Sequence, residues 1–146
     1  MAIPTSIKTL LSGDVVEWAR IEFKETWDAA ASLKSICAFA NDLDNWGGGY
    51  IIIGVQENNG KPVYPLKGVP TDKLDAYQKN IFGKCKLLRP AYTPIIGVET
   101  YQDKQFIVIW CRVGIIDHIH RQRQWRKIIK SAFITFVKLK YCRAIR

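Results

Sequence analysis

Three consecutive glycines, Gly47–Gly49, open onto Tyr50-Ile-Ile-Ile-Gly54-Val55, and this run constrains the fold more than any other feature of the chain. A short continuous apolar segment bounded by glycines reads as a strand with no polar face. Such a strand needs cover on both sides, which places it in the centre of a sheet with other elements packed above and below. Glycine accepts backbone angles that other residues resist, so the triplet also ends whatever element precedes it.

The preceding element is a helix over Trp27–Leu43, because Leu33, Ile36, Cys37, Ala40 and Leu43 recur at helical spacing. Asp28 falls in its first turn, where the helix dipole favours an acid. Upstream, Trp18–Glu25 alternates, with Ala19, Ile21 and Phe23 on one face and Arg20, Glu22 and Lys24 on the other, as in a half-buried strand. Ser6 or Thr5 caps a short helix through Leu11 that Gly13 ends. Downstream, Asn58-Asn-Gly-Lys-Pro62 reads as a turn. Thr71 caps a helix running to about Leu88, with Leu74, Tyr77, Ile81 and Cys85 as its buried stripe. Ile95–Tyr101 and Gln105–Cys111 flank Gln-Asp-Lys as a β-hairpin. The expected fold is α/β (α+β): a mixed β-sheet with two main helices and no internal repeat.

A length of 146 residues suits one domain with a real core, and 48% apolar residues exclude a disordered chain. The net charge of +9 is unevenly placed: Met1–Cys111 holds 12 Lys/Arg and 12 Asp/Glu, whereas Arg112–Arg146 holds 10 Lys/Arg against Asp117 alone. A basic surplus points to polyanionic partners, since neutralised phosphates release counterions. Here that inference rests on the tail. Cys37, Cys85, Cys111 and Cys142 are far apart, with no Cys-x-x-Cys and no His at ligand spacing, which argues for free thiols rather than zinc. The N-terminus has no signal-peptide core, and no apolar run reaches the roughly 20 residues a bilayer span needs. A soluble, cytoplasmic protein with no membrane partner is expected.

Glu17-Trp-Ala-Arg-Ile-Glu-Phe-Lys24, Ala38-Phe-Ala-Asn41, Gly48-Gly-Tyr50 and Gly54-Val55 follow one another in an order that resembles the Schlafen-type AlbA-like domain family. The resemblance covers roughly Asp14 to Cys111. It divides the chain into an N-terminal helix (1–13), an AlbA-like domain (14–111) and a basic tail (112–146). It implies an α/β nucleic-acid-binding module, as found in Schlafen proteins and at the front of many bacterial proteins described as transcriptional regulators and labelled ATP-binding.

The resemblance places the corner from Asn41 through Gly47, Gly48 and Gly49 to Tyr50 beside the ligand surface, and the Arg20/Glu22/Lys24 strand joins it as the expected contact surface. Arg20 and Lys24 share Glu22's face, so the strand offers cations to phosphates; a cross-strand ion pair with Glu22's neighbours is the competing reading. Asn41 reads equally as a C-cap, since Asn tolerates the left-handed conformation. The glycines either bring backbone amides close to a phosphate or simply connect helix to strand.

For nuclease members, the resemblance implies a three-carboxylate metal site, which maps onto Glu17, Glu22 and Glu57. Such a cluster suits Mg²⁺ or Mn²⁺, which polarises a phosphoryl oxygen and generates hydroxide. In an unbroken strand the separation of five residues puts Glu17 and Glu22 on opposite faces, so they converge only across a bend or bulge. The family's acidic pair after Gly-Val also reads Gln56-Glu57 here, which removes one carboxylate.

A Walker loop needs Gly-x4-Gly-Lys-Ser/Thr opening a helix, whereas five residues separate Gly54 from Gly60 and Lys61 is followed by Pro62, so bound ATP finds no support. No Gly-x-Ser-x-Gly elbow, His-Glu-x-x-His or Rossmann fingerprint is present. His118 and His120 in the tail do not make a metal site.

After the strand matching Ile107–Cys111, family members look as though they continue Pro-Gly-Gly-Asp-x-Arg-Pro-Tyr and later Tyr-Tyr-(Ile/Val)-Arg. This chain reads Arg112-Val-Gly-Ile-Ile-Asp-His-Ile-His-Arg121 instead. Codons can be chosen for Arg112–Leu139 such that one C restored after the Cys111 codon yields Pro-Gly-Gly-Asp-Asn-Arg-Pro-Tyr-Thr-Ser-Pro and then Tyr-Tyr-Val-Arg-Lys. Degeneracy seldom permits the expected text, so a one-base deletion, in the gene or in its sequencing, is expected, with Arg112 onward out of frame and ended by an early stop. Such a truncated copy exposes Phe133, Ile134, Phe136 and Val137 and is prone to aggregate. The competing reading is a basic arm in which Arg121, Arg123, Arg126, Lys127 and Lys130 grip phosphates and Trp125 stacks a base.

The expected function is nucleic-acid binding, DNA ahead of RNA, as the module of a bacterial transcriptional regulator. The alternatives are a metal-dependent nuclease using Glu17, Glu22 and Glu57, and a nucleotide-responsive regulatory domain. Oligomeric state and the sequence bound leave no trace in the residues.

Overall fold

The structure, a computed structural model, describes residues 2–13, 18–42, 47–88 and 91–113. Glu17, Leu43 and the tail from residue 114 onward, with the out-of-frame and basic-arm readings that fall on it, lie outside the described residues.

Helix α1 (Ile7–Ser12) is capped as expected: the Ser6 hydroxyl accepts from the Thr9 N–H, and Gly13 ends the helix at φ 70°. Strand β1 (Ile21–Lys24) is shorter than the alternation indicates, because Trp18–Arg20 winds into a 3₁₀ turn ahead of it. Its faces are as read, with Ile21 and Phe23 buried and Glu22 and Lys24 half-buried. Helix α2 (Ala29–Asn41) begins after Asp28, whose carboxylate accepts from the Ala31 N–H at 3.1 Å. Asp28 is thus the cap rather than a first-turn residue. Asp42 ends α2 in the left-handed region at φ 41° and donates its N–H to the Ala38 carbonyl.

Strand β2 (Gly49–Ile53) is buried along its whole length. Strands β3 (Glu57–Asn58) and β4 (Lys61–Pro62) form a small ribbon around Asn59-Gly60, both at positive φ, the geometry of a tight hairpin turn. Helix α3 (Thr71–Cys85) follows, burying Leu74, Ile81 and Cys85; Pro70 occupies the cap position, while the Thr71 hydroxyl bonds the Gln105 side chain. Strands β5 (Ile95–Tyr101) and β6 (Lys104–Cys111) form the expected hairpin, turning at Gln102 and Asp103.

The four-stranded sheet runs β1-β2-β6-β5, with β1 and β2 parallel and the other pairs antiparallel. β1–α2–β2 is therefore a parallel crossover unit, and β2 lies inside the sheet as its composition demands. On one face Leu10 of α1 joins Ile21, Phe23, Ile52, Phe106 and Val108. On the other, Ile36 and Phe39 of α2 and Ile81 of α3 pack with Ile51, Ile53, Ile107 and Ile109. Each such side chain contributes about 1.5–3 kcal/mol through its removal from water. Two serines, Ser32 and Ser35, are buried within α2, positions that hydrophobic spacing alone does not flag. Among the described residues no helix is long and apolar enough to cross a membrane.

Candidate nucleic-acid interface

Parallel β1 and β2 start at the end of the sheet where antiparallel β6 finishes, so Arg20, Gly47–Tyr50 and Trp110–Arg112 come together there. Arg20 closes this corner. Its Nε donates to the Gly48 carbonyl at 3.0 Å and its Nη2 to the Gly47 carbonyl at 3.1 Å. The Gly47 N–H donates to Asp42 Oδ2 at 2.7 Å. The turn therefore meets Arg20 with carbonyls, the opposite polarity from a nest of amides around a phosphate. The guanidinium keeps further N–H donors, and Arg20 is only half-buried.

Gly48 and Gly49 serve close approach. A Cβ on Gly48, at φ 84°, would sit well under 3.0 Å from the Cys111 carbonyl oxygen, and one on Gly49 would run into the Phe39 ring. The triplet lets β2 press against β6 on one side and α2 on the other.

Asn41 does not reach into the corner: its amide folds back to donate to the Cys37 carbonyl at 2.7 Å, and the left-handed cap is Asp42. Lys24 Nζ lies 2.8 Å from Glu22 Oε1, with the two side chains 17% and 14% exposed. Its charge is engaged by Glu22 two residues back on the same strand, where a cross-strand pair is the competing expectation, rather than presented beside Arg20. Tyr50 is buried, and its hydroxyl lies 3.1 Å from Thr5 Oγ1.

The described residues do not assemble the three-carboxylate centre. Glu57 is exposed on the β3–β4 ribbon, apart from the sheet that carries Glu22. Among the described residues no group of three or more His, Cys, Asp or Glu could hold a metal ion, and Glu17 lies outside them. Glu22 Oε2 is nonetheless buried without a hydrogen-bond partner. Past Gly54 the chain enters the β3–β4 ribbon instead of opening a helix, so the Walker geometry is not formed.

Cys37, Cys85 and Cys111 are free thiols. Burial, reinforced by the Cys85 thiol and then Glu22, pushes Cys111 well above its ordinary range, so β6 ends on a neutral sulfur. Burial likewise raises the Tyr92 phenol, whose hydroxyl donates to the Arg112 carbonyl at 2.7 Å.

Sequence reasoning missed Trp110. Its ring stacks on Tyr50 with centroids 6.5 Å apart and planes 13° from parallel, and the Arg112 guanidinium carbon lies 5.8 Å from the Trp110 ring centre. The sequence shows an aromatic residue near the end of β6, but only the strand register puts it opposite Tyr50.

The solution structure of the N-terminal domain of a Nitrosomonas europaea protein, described as RecG-related and as an ATP-dependent DNA helicase, is similar to this chain. The identity is 27%, the TM-score 0.62, and the match covers 80% of this chain and 78% of that one. The crystal structure of the DIP2311 protein from Corynebacterium diphtheriae aligns at 16% identity with a TM-score of 0.48, over 75% of this chain and 22% of that one. None of the curated proteins compared matches the chain. The Schlafen AlbA_2 family matches residues 17–134, past the Cys111 at which the motif resemblance ends. The chain belongs to the Schlafen AlbA_2 family.

Proposed function

We propose that this chain is a nucleic-acid-binding module whose contact surface is the Arg20 end of the sheet. The observation that carries this reading is the Arg20 guanidinium, held by two backbone carbonyls at a half-buried corner. A planar charge fixed in this way has lost its freedom before a ligand arrives, and its remaining donors suit a phosphate. Family membership and the similarity to the N-terminal domain of a helicase-related protein support the same reading, and the latter favours DNA over RNA. The role proposed for the module is recognition within a bacterial regulator, binding without cleavage.

Fluorescence anisotropy of the chain against labelled single-stranded and duplex DNA at rising salt tests the proposal. Affinity that falls as salt rises, with the DNA intact in Mg²⁺ or Mn²⁺, is expected. Absence of binding at low salt overturns the reading. Metal-dependent cleavage that Glu22→Gln abolishes would replace it with the nuclease, and heat released on titrating ATP with Mg²⁺ would favour the nucleotide-responsive alternative.

A further inference from the structure

We infer that Trp110, stacked on Tyr50 at the Arg20 end of the sheet, is a platform for an unpaired base, so that the ligand is single-stranded rather than duplex nucleic acid. The inference rests on the nucleic-acid reading above and narrows its ligand class.

Trp110 and Tyr50 are direct partners across β2 and β6, and their rings lie nearly parallel. The inner ring is fixed, since Tyr50 is buried and its hydroxyl is paired with Thr5. The outer ring is only partly buried. A stacked Tyr–Trp pair on its own describes the rim of a core; Arg112 adds the second observation. Its exposed side chain sets a planar guanidinium over the indole, 5.8 Å from the ring centre. The indole surface under Arg112 accommodates a flat cation, and a nucleobase is drawn to the same π surface. A base inside a duplex has both faces stacked and its edge paired, so it cannot occupy such a platform, whereas a base in a single strand can. The base takes the place of the Arg112 guanidinium on the indole, and Arg20 at the same end of the sheet meets the backbone phosphate.

The test compares three labelled ligands on the full chain: a short oligothymidylate, an abasic strand of the same length, and a duplex. Oligothymidylate should bind about tenfold more tightly than the abasic strand, the scale of one stacked base. Trp110→Leu should abolish that ratio, Trp110→Phe should keep most of it, and Arg112→Ala should leave it unchanged or raise it, with circular dichroism confirming that each variant folds. Should Trp110→Leu fail to fold, the wild-type ratio and Trp110→Phe still decide. Equal affinity for base-bearing and abasic strands, or a ratio that survives Trp110→Leu, overturns the platform and leaves nucleic-acid binding standing. Binding to none of the three overturns the nucleic-acid reading itself, and the platform with it.

Discussion

Gly48→Ala, compared with Gly60→Ala, measures how tightly the corner is built. Both glycines are left-handed, at φ 84° and 80°, so an alanine at either carries the same backbone strain of about 1–2 kcal/mol. Their surroundings differ. Nothing lies within 4 Å of a Cβ added to Gly60, whereas at Gly48 the Cβ would fall well under 3.0 Å from the Cys111 carbonyl oxygen and 3.3 Å from the Val113 nitrogen. Those obstacles are backbone, and β6 is held in register by Gly49 opposite Cys111 and Tyr50 opposite Trp110, so relief requires a strand to move. Overpacking of this kind costs about 1–3 kcal/mol. Gly60→Ala should therefore lose about 1–2 kcal/mol and Gly48→Ala about 2–5 kcal/mol, against a typical domain stability of about 5–15 kcal/mol. Urea titration followed by circular dichroism reads the difference as a lower midpoint at unchanged slope. Losses equal to within about 0.5 kcal/mol would refute the close approach of Gly48 to Cys111.

Glu22→Gln leaves the Lys24 ammonium in a largely buried place without its counter-charge and should cost about 1.5–3 kcal/mol in the same urea assay; a loss typical of a surface pair, below about 0.5 kcal/mol, would contradict the engaged role of Lys24. Burial first, and the Cys37 thiol second, push Cys85 from its ordinary 9.0 up to about 11. An unfolded chain releases this proton first, so the stabilisation is complete below pH 9 and is lost as pH rises towards 11, by about 1.4 kcal/mol per pH unit; the loss should shrink by that amount in Cys85→Ala, and an identical pH profile in the two proteins would contradict the shift. Sequencing the gene across the Cys111 and Arg112 codons should find one additional C after the Cys111 codon, whereas a confirmed Cys111–Arg112 junction leaves either a pseudogene fragment or a true basic arm.

The central strand, the crossover helix and the β5–β6 hairpin are visible in the residues because each rests on a local pattern: an all-apolar run, helical spacing with Asp28 at its start, and two strands around a short turn. The errors arise where tertiary contacts decide. Trp18–Arg20 alternates well enough for a strand, yet it turns so that Arg20 can reach two carbonyls on the far side of α2. Asn41 and Asp42 are both competent caps, and the choice falls on Asp42, whose carboxylate also binds the Gly47 N–H. The glycines were legible as a break, but their use as the contact between β2, β6 and α2 depends on neighbours more than sixty residues apart for Gly48 and about ten for Gly49. Among the residues singled out for binding, Arg20 lies at the corner with Gly47 and Gly48, Lys24 and Asn41 turn to partners inside the fold, and Trp110 comes opposite Tyr50 only through the register.

The most direct test of the account is the salt dependence of single-strand binding for the full chain and for Arg20→Gln, with circular dichroism confirming that the variant folds. The account predicts weaker binding by the variant and a slope of log affinity against log salt that shrinks by about 0.7, the share of one phosphate contact on a single strand. An unchanged affinity and slope in a folded Arg20→Gln protein would contradict it.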